Sequence, residues 1–417
     1  MQRRDFIKKF TLLSTSLGAP SFLVKSLGAA QDKGVALAGL DSGRILVVIE
    51  LAGGCDGLNT IVPFNSDDYY SRRPKLAIPA AQVLPLNSSV GLHPAMAGLK
   101  ALFDDGKLAV VQGVGYPNPN RSHFRSRDIW HTAEPEEIGS DGWLAKYITQ
   151  YPSGTSFQGI NVGGKVPKAL VSEEGSSPSI QSVDTYQVTT DRRFPRDADN
   201  KNDAFQEIIG QQDKYPLQEY VTQTALDATL SSIQLLEGQK DYQSTIEYPS
   251  TVFAQNLKTI AQIITAELGV VVFYASLGGF DTHAAQVSGT SSVDGQHALL
   301  LETLSSALTA FLDDLQEMGR DQDTLVMTFS EFGRRLAENG SLGTDHGTAN
   351  QTFLLGSPLN PGLYGTYPGL SDGELDPIGD LLYTVDFRSV YSEVLANWLG
   401  VDPAPVLGES FPDLGFL

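Results

Sequence analysis

The chain's apolar residues fall in short, nearly continuous runs, separated by longer stretches of helical periodicity. Residues 44–51 (RILVVIEL), 107–114 (KLAVVQGV), 270–275 and 324–329 are such runs, the pattern of strands buried on both faces. Residues 352–355 read as a shorter strand. Helical periodicity covers 93–103, 252–267, 297–318 and 387–399. Arg121-Ser122-His123-Phe124-Arg125 reads as a helix start after the loop 115–120. Strand, glycine turn, helix, strand predicts an α/β fold, doubly wound, with a mostly parallel sheet sandwiched by helices. Between about 151 and 248 this grammar lapses. That stretch is rich in Ser, Gly, Asp and Gln, with apolar positions at Leu226, Leu230, Ile233 and Leu236. It is expected to be a helical insertion, either a cap over the site or an excursion on the sheet's flank.

The polar residues that interrupt the pattern stand where the runs end. Asp56 follows Gly53-Gly54-Cys55, Asp281 and His283 follow Gly278-Gly279-Phe280, and Glu331 follows the run ending at Phe329. Asp345 and His346 lie between Gly343 and Gly347, beside the shortest run. Ligands of open α/β sheets bind outside the carboxyl ends of the strands, so these residues are expected to gather. An Asp-His pair alone is often just a surface turn. Two glycine corners of this kind are unusual in a chain with only 6 histidines. Three carboxylates and two imidazoles (Asp56, Asp281, His283, Asp345, His346) suit one or two divalent ions, zinc foremost. Manganese, calcium or magnesium stay open. Ser122 reads either as a nucleophile activated beside such an ion or as a plain helix N-cap. Arg125, one turn on, is placed to clamp a phosphoryl or sulfuryl oxygen. Glu331 reads as a ligand, a base, or a partner of Arg334 and Arg335. His123 and His131 are expected to donate from outside the ligand set, and His93 and His297 to decorate helices.

Composition changes the picture in two places. Hydrophobic residues make up 41% and charged residues 19% of 417, ordinary for a globular chain with a sizeable core. The net charge of −20 disfavours nucleic acid and anionic lipid as partners. Arg3-Arg4-Asp5-Phe6-Ile7-Lys8, a moderately apolar run and Gly28-Ala29-Ala30 read as a twin-arginine signal spanning 1–30, not a stable membrane span. The expected location is therefore periplasmic or secreted, reached through the twin-arginine export machinery. Residues 31–417 are then the mature α/β domain. Losing the signal removes Arg3, Arg4, Lys8, Lys9 and Lys25 against Asp5 alone, which deepens the negative charge. Cys55 is the single cysteine, so internal disulfides are excluded.

The order Asp56, Ser122, Asp281 with His283, then Asp345-His346-Gly347 resembles the alkaline phosphatase superfamily, with its sulfatases and phosphodiesterases. More closely, GGCDGLNTIVPF, GVGYPNPNRSHFRSRDIWHT, GGFDTHAAQ, TFSEFGRR, GTDHGTAN and DFRSVY resemble an uncharacterised, twin-arginine-exported branch assigned to it. The resemblance implies an alkaline phosphatase-like fold and a metal-dependent hydrolase of a small-molecule or glycan phosphate or sulfate ester. It leaves open a non-catalytic metal- or anion-binding protein, or a surface-polysaccharide assembly factor. Two departures stand out. The usual Asp-x-x-x-His is here Asp281-Thr282-His283, and no histidine follows His346. Asp386 is the candidate for the missing ligand, or else the cap of the helix it precedes. Cys55 lacks the Cys-x-Pro-x-Arg context of a formylglycine sulfatase.

Overall fold

The run at 44–51 becomes β1 (Ile45–Ala52), buried along almost its whole length. The computed structural model describes residues 43–152, 158–173, 175–183, 235–236 and 239–417. All but 235–236 of these belong to one compact unit, residues 39–183 and 238–417. In chain order the further strands of its main sheet are β2 (Leu108–Gly115), β3 (Gly159–Val162), β4 (Ser179–Ile180), β5 (Val272–Gly278), β6 (Thr324–Phe329), β7 (Asn350–Leu355), β8 (Gly362–Tyr364) and β9 (Val385–Asp386). The spatial order is β8-β2-β7-β6-β1-β5-β3-β4, with β9 also pairing β2. Only the two pairings of β7, with β6 and with β2, are antiparallel; the others are parallel. The fold is therefore a mixed, mostly parallel sheet flanked by helices.

The principal helices are α1 (Ala97–Asp104), α2 (His123–Thr132), α3 (Trp143–Gln150), α4 (Val252–Thr265), α5 (Gln296–Glu317) and α6 (Phe387–Glu393). On one face Leu46, Val48, Val272, Tyr274, Leu325 and Met327 pack with Trp130, Trp143 and Tyr391 of α2, α3 and α6. The alternate positions Val47, Ile49, Phe273 and Val326 are equally buried. On that side α4 packs on β5 and against α5, which reaches α1. Burial on both faces is why these strands read as nearly continuous apolar runs. No described helix is long and apolar enough to cross a membrane.

Two sequence expectations change. The stretch expected as an insertion contributes β3 and β4 to the main sheet, at Gly159–Val162 and Ser179–Ile180. Strands of four and two residues are too short to stand out from a polar background. The expected closing helix ends at Glu393 and continues as a π-helical turn, Val394–Trp398. The expected signal segment and the positions Leu226, Leu230 and Ile233 lie outside the described residues.

Candidate metal centre

Two corners at the carboxyl ends of β1 and β5 meet because their glycines allow it. Gly53 has φ +120, and a Cβ there would lie 2.5 Å from the Asp281 backbone nitrogen. Only glycine suits both the angle and the approach. The third corner comes from the chain before β7. Its Gly343 lies so close to His283 that a Cβ would be 2.4 Å from the His283 carbonyl. Its His346 forms an antiparallel bridge with Arg334, in the loop after β6.

Arg334 fastens the three corners. It is buried, and donates to Gly54 O (2.6 Å), Thr344 O (2.9 Å), Phe280 O (2.9 Å) and Asp281 Oδ1 (2.8 Å), and also to Gly53 O. Gln286 joins two of the corners a second time, accepting from Thr282 Oγ (3.0 Å) and Thr344 Oγ (2.6 Å). The ring of Phe332 packs against both His123 and His346, with centroids 4.9 and 4.7 Å away.

Around Asp281 the hydrogen bonds fix what each imidazole presents. His346 Nδ1 lies 2.8 Å from the Arg121 carbonyl, His283 Nδ1 lies 3.0 Å from Asp345 Oδ1, and His123 Nδ1 lies 2.9 Å from Glu331 Oε1. Each partner only accepts, so in the neutral rings Nδ1 carries the hydrogen and Nε2 the lone pair. The Nε2 atoms of His283 and His346 are 2.9 Å apart, and lie 3.2 and 3.1 Å from Asp281 Oδ1. His123 Nε2 is 3.5 Å from Asp281 Oδ2 and is buried without a hydrogen-bond partner. His123, Asp281 and His346 offer ligand atoms that all lie within 4.8 Å of one another. Acceptors converging at these distances repel unless a cation stands among them. Partial burial opposes ionisation of Asp281, yet the hydrogen bond and charge of Arg334 prevail and take its carboxyl down to about 2. Donation of its Nδ1 hydrogen to the Glu331 carboxylate raises the His123 pKa. Three ring nitrogens and a carboxylate suit zinc, and fit poorly with calcium or magnesium, which take oxygen ligands.

The expected residues divide accordingly. Asp281, His283 and His346 come together, the short Asp-Thr-His spacing notwithstanding, and Asp345 stands behind His283. The third imidazole comes from His123, on a helix earlier in the chain; its position beside Ser122 was the only sequence signal for it. Glu331 orients that ring. His131 is held elsewhere, buried against the Tyr274 hydroxyl at 3.1 Å.

Asp56 is drawn away from the cluster: its carboxylate is fully buried, 2.6 Å from Arg73 Nη1 and 2.5 Å from Gln286 Nε2. Asp386 caps α6, accepting from Arg388 N at 2.9 Å and pairing with the Arg388 guanidinium. Arg125 spends its guanidinium on Asp128 (2.7 Å) and on the carbonyls of Glu134, Pro135 and Glu137. Ser122 is the exposed N-cap of α2, and its side chain makes no cap hydrogen bond.

Fold and site together define a mostly parallel α/β protein with a histidine–carboxylate cluster at its strand ends. The chain belongs to the family described as Protein of unknown function (DUF1501), whose model matches residues 107–407. Among curated proteins, none matches the sequence. Solved structures similar to it include the C-terminal periplasmic domain of EcEptC from Escherichia coli in complex with Zn. That likeness has 12% identity and a TM-score of 0.37, over 76% of this chain and 74% of that one. Another is the lipoteichoic acid synthase LtaP from Listeria monocytogenes (11%, 0.38, 90% and 79%). A third is a protein in the alkaline phosphatase superfamily from Vibrio parahaemolyticus (10%, 0.39, 88% and 69%). Likenesses of this size attach no residue role or reaction to this chain.

Proposed function

We propose that the protein is an exported metal-dependent hydrolase of a phosphate or sulfate ester, with zinc held by His123, Asp281, His283 and His346. The observation that carries this reading is the convergence of three Nε2 atoms on the Asp281 carboxylate, one of them buried without a partner. Bound there, the ion would supply positive charge for the ester's oxygens and make a neighbouring hydroxyl more acidic. The chain's own residues do the rest. Glu331, Asp345 and the Arg121 carbonyl hold the three rings in one tautomer, and Arg334 keeps Asp281 ionised and aimed. Ser122 sits between Arg121, whose carbonyl holds His346, and His123. Its hydroxyl is free of capping, so Ser122 is the nucleophile we assign. The twin-arginine pattern at Arg3-Arg4 supports action outside the cytoplasm.

A non-catalytic reading is favoured by one observation: the Arg125 guanidinium, expected to clamp the transferred group, is committed to its own loop. The test is turnover of p-nitrophenyl phosphate, bis(p-nitrophenyl) phosphate and p-nitrophenyl sulfate by the zinc-loaded protein. Ser122→Ala should lower kcat by at least about a hundredfold with zinc content and melting temperature unchanged. Absence of turnover on every ester leaves the binding protein. Full activity in Ser122→Ala returns the attack to solvent.

A further inference from the structure

Beside the histidine cluster lies a cavity of about 490 Å³ that none of the residues assigned above fills. It opens at the carboxyl ends of three adjacent parallel strands. Glu50 of β1 is the register partner of Ser276 of β5, and Tyr274 of β5 is the partner of Asn161 of β3; all four line it. Open parallel sheets bind their ligands at this edge, and the volume is that of a small-molecule site. The connection to the cluster is short. Helix α2 carries His123 toward Asp281, and one turn later sends Arg127 into the cavity wall. Arg127 Nη2 is 3.5 Å from the same Glu331 oxygen that holds His123.

The lining says what would fit. Its charges are mostly spent: Arg127 Nε is 2.5 Å from Glu50, and Lys168 pairs with Asp128. Among the described residues Lys165 is left over, with no carboxylate or other side-chain partner. One uncompensated ammonium in a chain of net −20 makes this a local positive spot. Asn256 and Ser276 likewise keep an amide and a hydroxyl without a side-chain hydrogen-bond partner among the described residues. At the rim stands Phe124, the neighbour of His123, with 90% of its surface in water. A phenyl ring this exposed gains most from a flat apolar partner laid against it. Amide and hydroxyl groups lining one cavity with a single exposed ring suit a polyhydroxylated ring better than a nucleobase, which calls for an apolar slot.

We infer that this cavity receives the organic part of the ester, and that this part is a sugar ring bearing a second anionic group, stacked on Phe124 and held by Lys165. The inference rests on the hydrolase reading, which puts the reacting group of the ester at the histidine cluster.

Calorimetric titration of the zinc-loaded protein with inorganic phosphate, inorganic sulfate, glucose 1-phosphate, glucose 1,6-bisphosphate and AMP tests it. Affinity should rise about tenfold from phosphate to glucose 1-phosphate, and about tenfold again to the bisphosphate, each step near 1.4 kcal/mol. Phe124→Ala should erase the first step and Lys165→Met the second; both side chains are exposed, so the fold is kept. Equal steps in wild type and variants overturn the inference, and so does AMP binding more tightly than glucose 1-phosphate. The two readings fail separately. If neither inorganic phosphate nor inorganic sulfate binds the zinc-loaded protein, the hydrolase reading falls. Bisphosphate binding that survives His346→Ala and is lost in Lys165→Met then upholds the cavity's ligand. No binding of any sugar phosphate overturns it.

Discussion

Gln286 and Thr344 are joined by a 2.6 Å hydrogen bond that reaches from one ligand corner to the other. Gln286 is fully buried, and its same oxygen takes Thr282, the residue between Asp281 and His283. Its amide nitrogen is anchored on Asp56. Together with Arg334, this side chain therefore sets the spacing of the loops that carry Asp281, His283 and His346. Gln286→Leu keeps the volume and removes the clasp. Zinc affinity, measured by competition with a chelating dye, should fall about 10–100-fold. A variant with lower melting temperature and wild-type affinity would show that Gln286 only fills space.

The ligand assignment predicts different outcomes for neighbouring residues. Asp345→Asn combined with His346→Ala should abolish tightly bound zinc in elemental analysis, and His123→Ala should weaken it. Asp386→Ala should leave it unchanged, because that carboxylate is occupied by Arg388. Full occupancy in the double variant would reduce the corner to a turn.

Asp56 predicts a stability effect. Removing its carboxylate strands the fully buried Arg73 guanidinium, which costs about 3–5 kcal/mol where a buried pair is broken. Asp56→Ala should lower the urea midpoint accordingly while folded protein retains its zinc. Loss of zinc at unchanged stability would return Asp56 to the ligand set.

Three buried histidines outside the cluster predict a pH dependence. Burial pushes His93 and His131 down to about 3 and His297 down to about 4. These folded values lie below the unfolded value near 6.5, so below that pH the unfolded chain takes up protons that the native state refuses. The contribution is present above pH 6.5 and is lost progressively as pH falls, toward about 4 for His297 and about 3 for His93 and His131. Each ring steepens the loss by up to about 1.4 kcal/mol per pH unit. Urea unfolding at pH 7.5, 6 and 5 should show falling stability, with a shallower slope in His93→Gln. A flat profile would mean that the native rings accept protons.

Much of the fold was legible because its strands are buried on both faces. Residues 44–51, 107–114 and 324–329 are nearly continuous in apolar residues, which a strand with one face in water does not require. The corners were legible for a related reason: glycine beside Asp and His marks backbone that must approach another backbone, as Gly53 and Gly343 do. The strands Gly159–Val162 and Ser179–Ile180 escaped notice because they are too short to carry a period.

The sequence by itself thus determined which residue types stand at the strand ends: carboxylates, imidazoles and the glycines that let them converge. Only the tertiary structure decided what each of them does. A carboxylate's role is set by the nearest cation in space. Arg73 therefore withdraws Asp56 into an ion pair 2.6 Å long, while Arg334 leaves Asp281 half exposed among three rings. An imidazole's role is set by what its other nitrogen meets. Glu331 turns His123 into the third ring at Asp281, and the Tyr274 hydroxyl keeps His131 in the core. Neither partner is near in the chain, so neither assignment was visible until the sheet brought them together.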